Sequence, residues 1–194
     1  MFNLVVDQEL ELVLLNDSHI EELYRLIDTN RGHLRNWLPW VDETSSMAEV
    51  ETFIEMGRSQ YVSNNGFQAG IIYQGRLVGI IGYHAINWRN RSTTIGYWLA
   101  EALQGKGIMK RATKFMVDYA IYHLRLHRVE IRCAEANSRS RAIPTALGFK
   151  EEGLIRDAEW LYDHFVSHVV YGVLSEEWYA RGVGGIDIDG ERLL

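Results

Sequence analysis

The stretch Gln104-Gly105-Lys106-Gly107-Ile108-Met109-Lys110 sets two glycines one residue apart within a run of cations. Lys106, Lys110, Arg111 and Lys114 follow one another with no acid before Asp118. Apolar alternation before this stretch and helical spacing after it predict a strand that passes through a glycine turn into a helix. Two glycines let the amides of a helix N-terminus converge without Cβ obstruction, and such an end attracts phosphate. Taken alone, the glycines also fit a plain tight connection. The cations favour the first reading, because a base near a helix N-terminus opposes the dipole by roughly 0.3–1 kcal/mol. Four of them in a chain of net charge −6 imply an anion, with polyphosphate the natural candidate. A Walker loop, Gly-x-x-x-x-Gly-Lys-Ser/Thr, is not in the sequence, and Lys110 stands where a dinucleotide fingerprint needs its third glycine. The seven histidines are scattered, with no His-x-x-x-His on a helix and a single cysteine, so no metal centre is expected. Cys133 alternates with apolar positions and reads as a small buried hydrophobe.

The elements that must position this turn form an α+β pattern. Leu10, Leu12 and Leu14 alternate as a strand. Ser18-His19-Ile20-Glu21 and Ser46-Met47-Ala48-Glu49 both read as capping boxes. The first opens a helix through Ile20, Leu23, Tyr24 and Ile27 to Gly32, and the second a helix bearing Val50, Phe53 and Ile54 that stops at Asn64-Asn65-Gly66. Between them lies the aromatic loop Trp37-Leu38-Pro39-Trp40. Strands are predicted over 67–73, 76–86 and 93–99, joined by hairpin connections. A helix over 107–123 carries Ile108, Ala112, Phe115, Met116 and Tyr119 as one apolar stripe. Val129, Ile131 and Cys133 mark another strand, a short helix leads into Leu147-Gly148-Phe149, and two strands follow at roughly 149–157 and 164–174. Residues 1–181 read as one domain and 182–194 as a Gly-rich tail.

Composition sets the outer limits. The chain has 194 residues, 47% hydrophobic and 24% charged, an ordinary globular balance. No segment approaches the roughly 18 apolar residues of a membrane span. Net acidity disfavours nucleic-acid coating and mildly favours cationic partners. Met1-Phe2-Asn3-Leu4 has neither a basic region nor a small-residue cleavage site, and one unpaired Cys suits a reducing compartment, so a cytoplasmic location is expected.

The turn Gln104-Gly105-Lys106-Gly107-Ile108-Met109 resembles the Gln/Arg-x-x-Gly-x-Gly/Ala pyrophosphate loop of the GNAT superfamily of N-acetyltransferases. Met109 departs from the pattern, as in the RimJ/RimL branch that acetylates ribosomal-protein N-termini. The strand Ile95-Gly96-Tyr97-Trp98-Leu99, the string Asn137-Ser138-Arg139-Ser140 ahead of Leu147-Gly148-Phe149, and Asp157-Ala158-Glu159-Trp160 resemble the same branch, in the same order, from about residue 8 to 175. The resemblance implies a mixed, mostly antiparallel twisted sheet of about seven strands flanked by about four helices and splayed where acetyl-CoA enters. The main chain of Tyr97, Trp98 and Leu99 would hold the pantetheine arm, with their side chains in the core. Gln104, Gly105, Lys106, Gly107, Ile108 and Met109 would hold the pyrophosphate, with Lys110 and Asn137 also toward the coenzyme. In the family pattern Asn-x-x-Ala/Ser-x-x-x-Tyr-x-x-x-Gly-Phe, Pro144 replaces the acid tyrosine, and Ser140 inherits its place beside the coenzyme sulfur. Ser140 also reads as a helix N-cap. Pro144 requires either a helix starting near Arg141 or a kink. Glu159 matches the carboxylate base of this branch, a partly desolvated carboxylate whose pKa would rise, with Asp157 and Asp163 nearby to attract an amine. Trp37 and Trp40 would border the acceptor groove; with Trp88 they also fit a hydrophobic cap or a dimer contact. The implied reaction moves acetyl from acetyl-CoA, without metal, to a protein N-terminus. A small amine such as a polyamine or aminoglycoside, or a non-catalytic acyl-CoA sensor, are the competing readings. A homodimer or higher homo-oligomer is expected from the resemblance alone.

Overall fold

Leu10 and Leu12 are fully buried while Glu11 and Val13 are not, and this two-residue alternation recurs at Val129, Ile131 and Cys133. The computed structural model describes residues 3–181. Along the chain come β1 (Asn3–Val5), β2 (Leu10–Leu14), α1 (Ile20–Thr29), α2 (Arg31–Leu34), α3 (Met47–Val62), β3 (Gln68–Tyr73), β4 (Arg76–Asn87) and β5 (Ser92–Leu99). Then follow α4 (Ile108–Asp118), β6 (Arg128–Ala134), α5 (Ser138–Ala146), β7 (Lys150–Leu161), β8 (His164–Leu174) and α6 (Ser175–Tyr179). The sheet therefore has eight strands rather than about seven, and six helices rather than about four are found among the described residues. The expected tail at 182–194 lies outside them.

The strand order is β1-β2-β3-β4-β5-β6-β8-β7. Every neighbouring pair is antiparallel except β5–β6. A helical crossover between adjacent strands makes that pair parallel, and α4 supplies it. One face packs Leu12, Ile81, Tyr83, Ile95 and Ile131 against Ala112, Met116 and Ile121. The other packs Leu77 and Ile80 against Leu23, Ile27, Val50 and Ile54 of α1 and α3.

Local signals fare unevenly. Ser46 caps α3 as expected, its Oγ accepting from Ala48 N at 3.2 Å while Glu49 accepts from Ser46 N at 2.7 Å. The Ser18 box is displaced. Asn16 is the cap, accepting from Ser18 N at 3.0 Å, and it opens a 3-10 turn ahead of α1. Its amide side chain, two residues upstream of Ser18, competes successfully for the same orphan donors. The first helix ends at Thr29, where Asn30 Nδ2 turns back to Leu26 O at 2.8 Å, and a separate turn, α2, follows. Strand β7 reaches Leu161, which places Glu159 within the sheet and not beyond its end.

Candidate active site

The parallel pairing of β5 and β6 runs from Ser92↔Arg128 to Ile95↔Ile131 and stops. Gly96–Leu99 stay with β4, and Arg132–Ala134 stay with β8, so the two strands part and leave a V-shaped cleft at their carboxyl ends. Main-chain groups in Gly96–Leu99 on the side away from β4 face this gap.

At the mouth of the cleft, Gly105 (φ +80°) and Gly107 (φ +74°) take left-handed backbone angles, and a Cβ at either would meet open space. They are glycines for conformation rather than for crowding. Gly107 is the N-cap of α4, and no side chain caps the helix. The amides of its first turn are therefore open to a ligand. The four bases are not equivalent. Arg111 reaches Asp7 at 2.7 Å and Glu9 at 3.6 Å, and Lys114 reaches Asp118 at 2.7 Å. The expectation that no acid offsets them is corrected for these two, because the acids come from the distant β1–β2 turn and from one helical turn on. Lys106 and Lys110 are exposed and form no ion pair among the described residues. Open amides, two uncommitted lysines and a cleft with free main-chain groups fit a polyphosphate carried on an extended arm. Gln104 uses its side chain within the protein. Its Nε2 donates to His33 Nε2 at 2.8 Å, and its Oε1 accepts from Arg139. Asn30 Oδ1 accepts from Glu101 N at 3.0 Å, so the α1–α2 corner is fastened to the segment that leads into the glycine turn.

Ser140 occupies the third position of α5, and the N-cap is Asn137, whose Oδ1 accepts from Ser140 N at 3.0 Å. The N-cap reading of Ser140 is thereby corrected, and Asn137 commits its side-chain oxygen to the cap. Pro144 lies inside the helix and not in its first turn. Without an N–H it leaves the Ser140 carbonyl short of its helical donor. The Tyr97 hydroxyl fills that role at 3.1 Å. Burial pushes the Tyr97 phenol well above its ordinary range, so it stays a donor. The Tyr97 side chain thus belongs to the site, not only to the core. Ser140 Oγ donates to Cys133 Sγ at 3.2 Å and lies 3.5 Å from the Tyr97 hydroxyl. Burial raises the Cys133 pKa, which keeps it a thiol.

Glu159 faces the other way. Cys133 points into the α4 side, so Ala134 and its cross-strand partner His168 point to the opposite face. Glu159 Oε2 is 3.4 Å from His168 Nε2, with side-chain exposures of 32% and 18%. His84 shares this face: its ring covers Gly96, where any Cβ would collide with it. Desolvation and then Arg132 lower the His84 pKa, with Glu159 opposing, so the imidazole is neutral near neutral pH. The aromatic loop borders the same face. Trp40 stacks obliquely on Trp98 with centroids 6.2 Å apart, and Trp37 is half-buried. Tyr162, from the β7–β8 turn, donates to Leu38 O at 2.6 Å and lies under the Arg35 guanidinium, 3.9 Å from its ring centroid. This contact ties the β7–β8 turn to the aromatic loop. Asp163 is held by His164 at 2.7 Å, and a β-bulge carries Asp157 between Ile155 and Glu159. His33, His84 and Arg139 had no role assigned from sequence, and His168, which with His164 reads as a surface or packing residue of one strand face, instead lies beside Glu159; only Pro144 carried a signal, since an interior proline demands an outside donor for the carbonyl four residues back.

A V-shaped cleft beside an uncapped glycine turn fits an acyl-transfer site of the GNAT type. The chain belongs to the acetyltransferase (GNAT) domain family, whose profile matches residues 9–150. It is an N-acetyltransferase of the RimL-like kind. It is 39% identical over 181 residues to YdaF of Bacillus subtilis (strain 168), provisionally named a ribosomal N-acetyltransferase, covering 92% of this chain and 98% of that one. It is 28% identical over 160 residues to the ribosomal-protein-serine acetyltransferase of Escherichia coli (strain K12), covering 82% and 89%. The solved structure of RimL, a ribosomal L7/L12 alpha-N-protein acetyltransferase in complex with coenzyme A, superimposes with a TM-score of 0.85 at 26% identity over 91% of this chain and 99% of that one. No helix among the described residues is long and apolar enough to cross a membrane.

Proposed function

We propose that this chain moves an acetyl group from acetyl-coenzyme A to the terminal amine of a protein, of the ribosomal-protein type, with Glu159 as base and Ser140 assisting the departing sulfur. The observation that supports the proposal is the arrangement about the cleft: β5 and β6 part, Ser140 lies on the helix side of the sheet, and Glu159 lies on the opposite face. The names of the relatives support the choice of acceptor.

When bound, the coenzyme supplies an acetyl thioester, an electrophile for a neutral amine. The amides opening α4, with Lys106 and Lys110, hold its phosphates, and Gly96–Leu99 align its arm. Glu159 accepts the proton that the amine sheds, and His168 Nε2 orients the carboxylate. Ser140 Oγ already directs its proton at a sulfur atom, a weak acceptor in thiol form. Redirected to a sulfur gaining negative charge, the same hydrogen bond strengthens. The protonated Tyr97 hydroxyl fixes the Ser140 carbonyl and so the direction of Oγ.

Thiol release from acetyl-CoA, measured against N-terminal peptides, polyamines and aminoglycosides, tests the acceptor class. Glu159→Gln is expected to bind coenzyme normally and to lose about 10²–10⁴ in turnover. Near-normal turnover in that variant removes Glu159 from the mechanism.

A further inference from the structure

On the open face, Arg132 is a guanidinium with donors to spare. Arg128, Glu130 and Arg132 alternate with the buried residues of β6 and, beside Thr94 and Trp88, line an open cavity of about 560 Å³. Glu130 lies low between the two arginines, 2.7 Å from Arg128 and 2.6 Å from Arg132, with its side chain 14% exposed. Arg128 commits both of its terminal nitrogens. Its terminal nitrogens span both Glu152 oxygens at 2.7 and 2.5 Å, and one also donates to Glu130. Arg132 uses only Nε, and among the described residues neither of its terminal nitrogens has a partner. The carboxylates of this quartet are committed to arginines, whereas about half of the Arg132 side chain is exposed. A free guanidinium edge of this kind matches a carboxylate in a two-point contact.

Its distance from Glu159 sets the size of the ligand. Arg132 pairs with Val170 of β8, and Glu159 pairs with Val166 of the same strand. Two strand spacings of about 4.8 Å and four residues of about 3.3 Å set their backbones roughly 16 Å apart. Arg132 and Glu159 lie on the same face of the sheet, with Arg132 Nε drawn back to Glu130 at 2.6 Å. A separation of that order, shortened by the Glu159 side chain, suits the span from an N-terminal nitrogen to the side chain of the second or third residue of an extended chain, at about 3.4 Å per residue.

We propose that the acceptor is a peptide N-terminus with an aspartate or glutamate at its second or third residue, its carboxylate held by the free edge of Arg132 while its amine meets Glu159. The proposal rests on the reading of this face as the acceptor side. Local geometry thereby overrides the whole-chain charge, which by itself favoured a basic acceptor.

The test uses a set of short peptides with one N-terminal residue and with Asp or Glu, Asn or Gln, or Lys at positions two and three. With saturating acetyl-CoA, the wild type is expected to favour the acidic peptides over their amide counterparts at least about tenfold in kcat/KM, expressed mainly in KM. Arg132→Gln, checked for fold by coenzyme binding, is expected to bring that ratio within about twofold, and Arg132→Glu to turn preference toward lysine. Equal rates in the wild type, or an acid preference that survives Arg132→Gln, overturn the proposal. If no peptide is acetylated, the acceptor reading has failed and calorimetric titration of the same peptides decides the subsite. Acid-selective binding lost in Arg132→Gln then supports it, and no selective binding overturns it.

Discussion

The pairing of Tyr97 with Pro144 can be tested quantitatively. Tyr97→Phe removes one oxygen and leaves the ring in place, so the Ser140 carbonyl loses its donor while packing is kept. A buried carbonyl left without a partner costs about 1–3 kcal/mol, and the site is only part-buried, so about 1–2 kcal/mol is expected. At this chain length each kcal/mol lowers Tm by roughly 2–4 °C, which makes the shift about 2–8 °C. The decisive comparison is a double-mutant cycle with Pro144→Ala. Alanine restores the N–H that a helix directs at the carbonyl four residues back, and that carbonyl is Ser140. In the Pro144→Ala background, Tyr97→Phe should therefore cost about 1 kcal/mol less than in the wild type. Urea unfolding of the four proteins measures the coupling, and acetyl-transfer rates read whether Ser140 has moved. If Tyr97→Phe destabilises both backgrounds equally, within about 0.3 kcal/mol, the hydroxyl does not substitute for the missing helical donor and the argument for Tyr97 as a positioning residue fails.

Further expectations concern the coenzyme side and the acid range. Gly107→Ala forces an L-residue into φ +74° with no contact to relieve it. It should lose about 1–2 kcal/mol of stability, with coenzyme affinity falling in step when measured by calorimetry. Lys106→Gln and Lys110→Gln should each weaken coenzyme binding a fewfold at low salt, and the difference should vanish at high salt, because both lysines are exposed. Arg128 holds the Glu152 carboxyl below its usual range; at Glu130 burial raises the pKa, but hydrogen bonds from Arg128 and Arg132 outweigh it and the net shift is downward. Carboxyls with depressed folded pKa values stabilise above about pH 4.5 and lose that contribution as pH falls through the folded values. Arg128→Met should therefore be less stable than the wild type at pH 7, with the gap narrowing as pH falls below about 4.5 through the folded values; a constant gap in urea unfolding would contradict this assignment.

Much of the fold was legible because it rests on local periodicity. The stripe Ile108, Ala112, Met116 and the alternation of Val129, Ile131 and Cys133 each report one buried face, and each falls where expected. The glycine turn was legible for a similar reason, since positive φ and an uncapped helix end are properties of a few adjacent residues. What the sequence did not disclose depends on long-range contact. The acids that neutralise Arg111 lie about a hundred residues upstream, and the partners of Gln104 come from α2 and α5. The face on which Glu159 lies follows from the register of three strands, which no spacing along β7 encodes. Pro144 is the instructive case: the proline was visible, but the donor that compensates for it, Tyr97, is brought by the fold to a carbonyl 43 residues away.

The single parallel pair in the sheet explains why both halves of the proposed chemistry would meet in one place. Parallel strands present their carboxyl ends at the same edge, and the helices that follow β5 and β6 both begin there. The positive ends of α4 and α5 therefore point at one cleft from its two walls. α4 offers open amides at the mouth, where the polyphosphate of the proposed coenzyme would carry fixed charge. α5 carries Ser140 in its first turn, where under the proposed mechanism negative charge would appear only as a sulfur departs. Ser140→Ala removes one hydrogen bond but leaves the α5 terminus in place, whereas Glu159→Gln removes the proton acceptor outright. Turnover should therefore fall by about tenfold in the first variant, against at least a hundredfold in the second, with coenzyme affinity little changed in both. A Ser140→Ala loss as large as that of Glu159→Gln would mean that the helix terminus contributes nothing on its own, and that the hydroxyl is the proton donor on which departure depends.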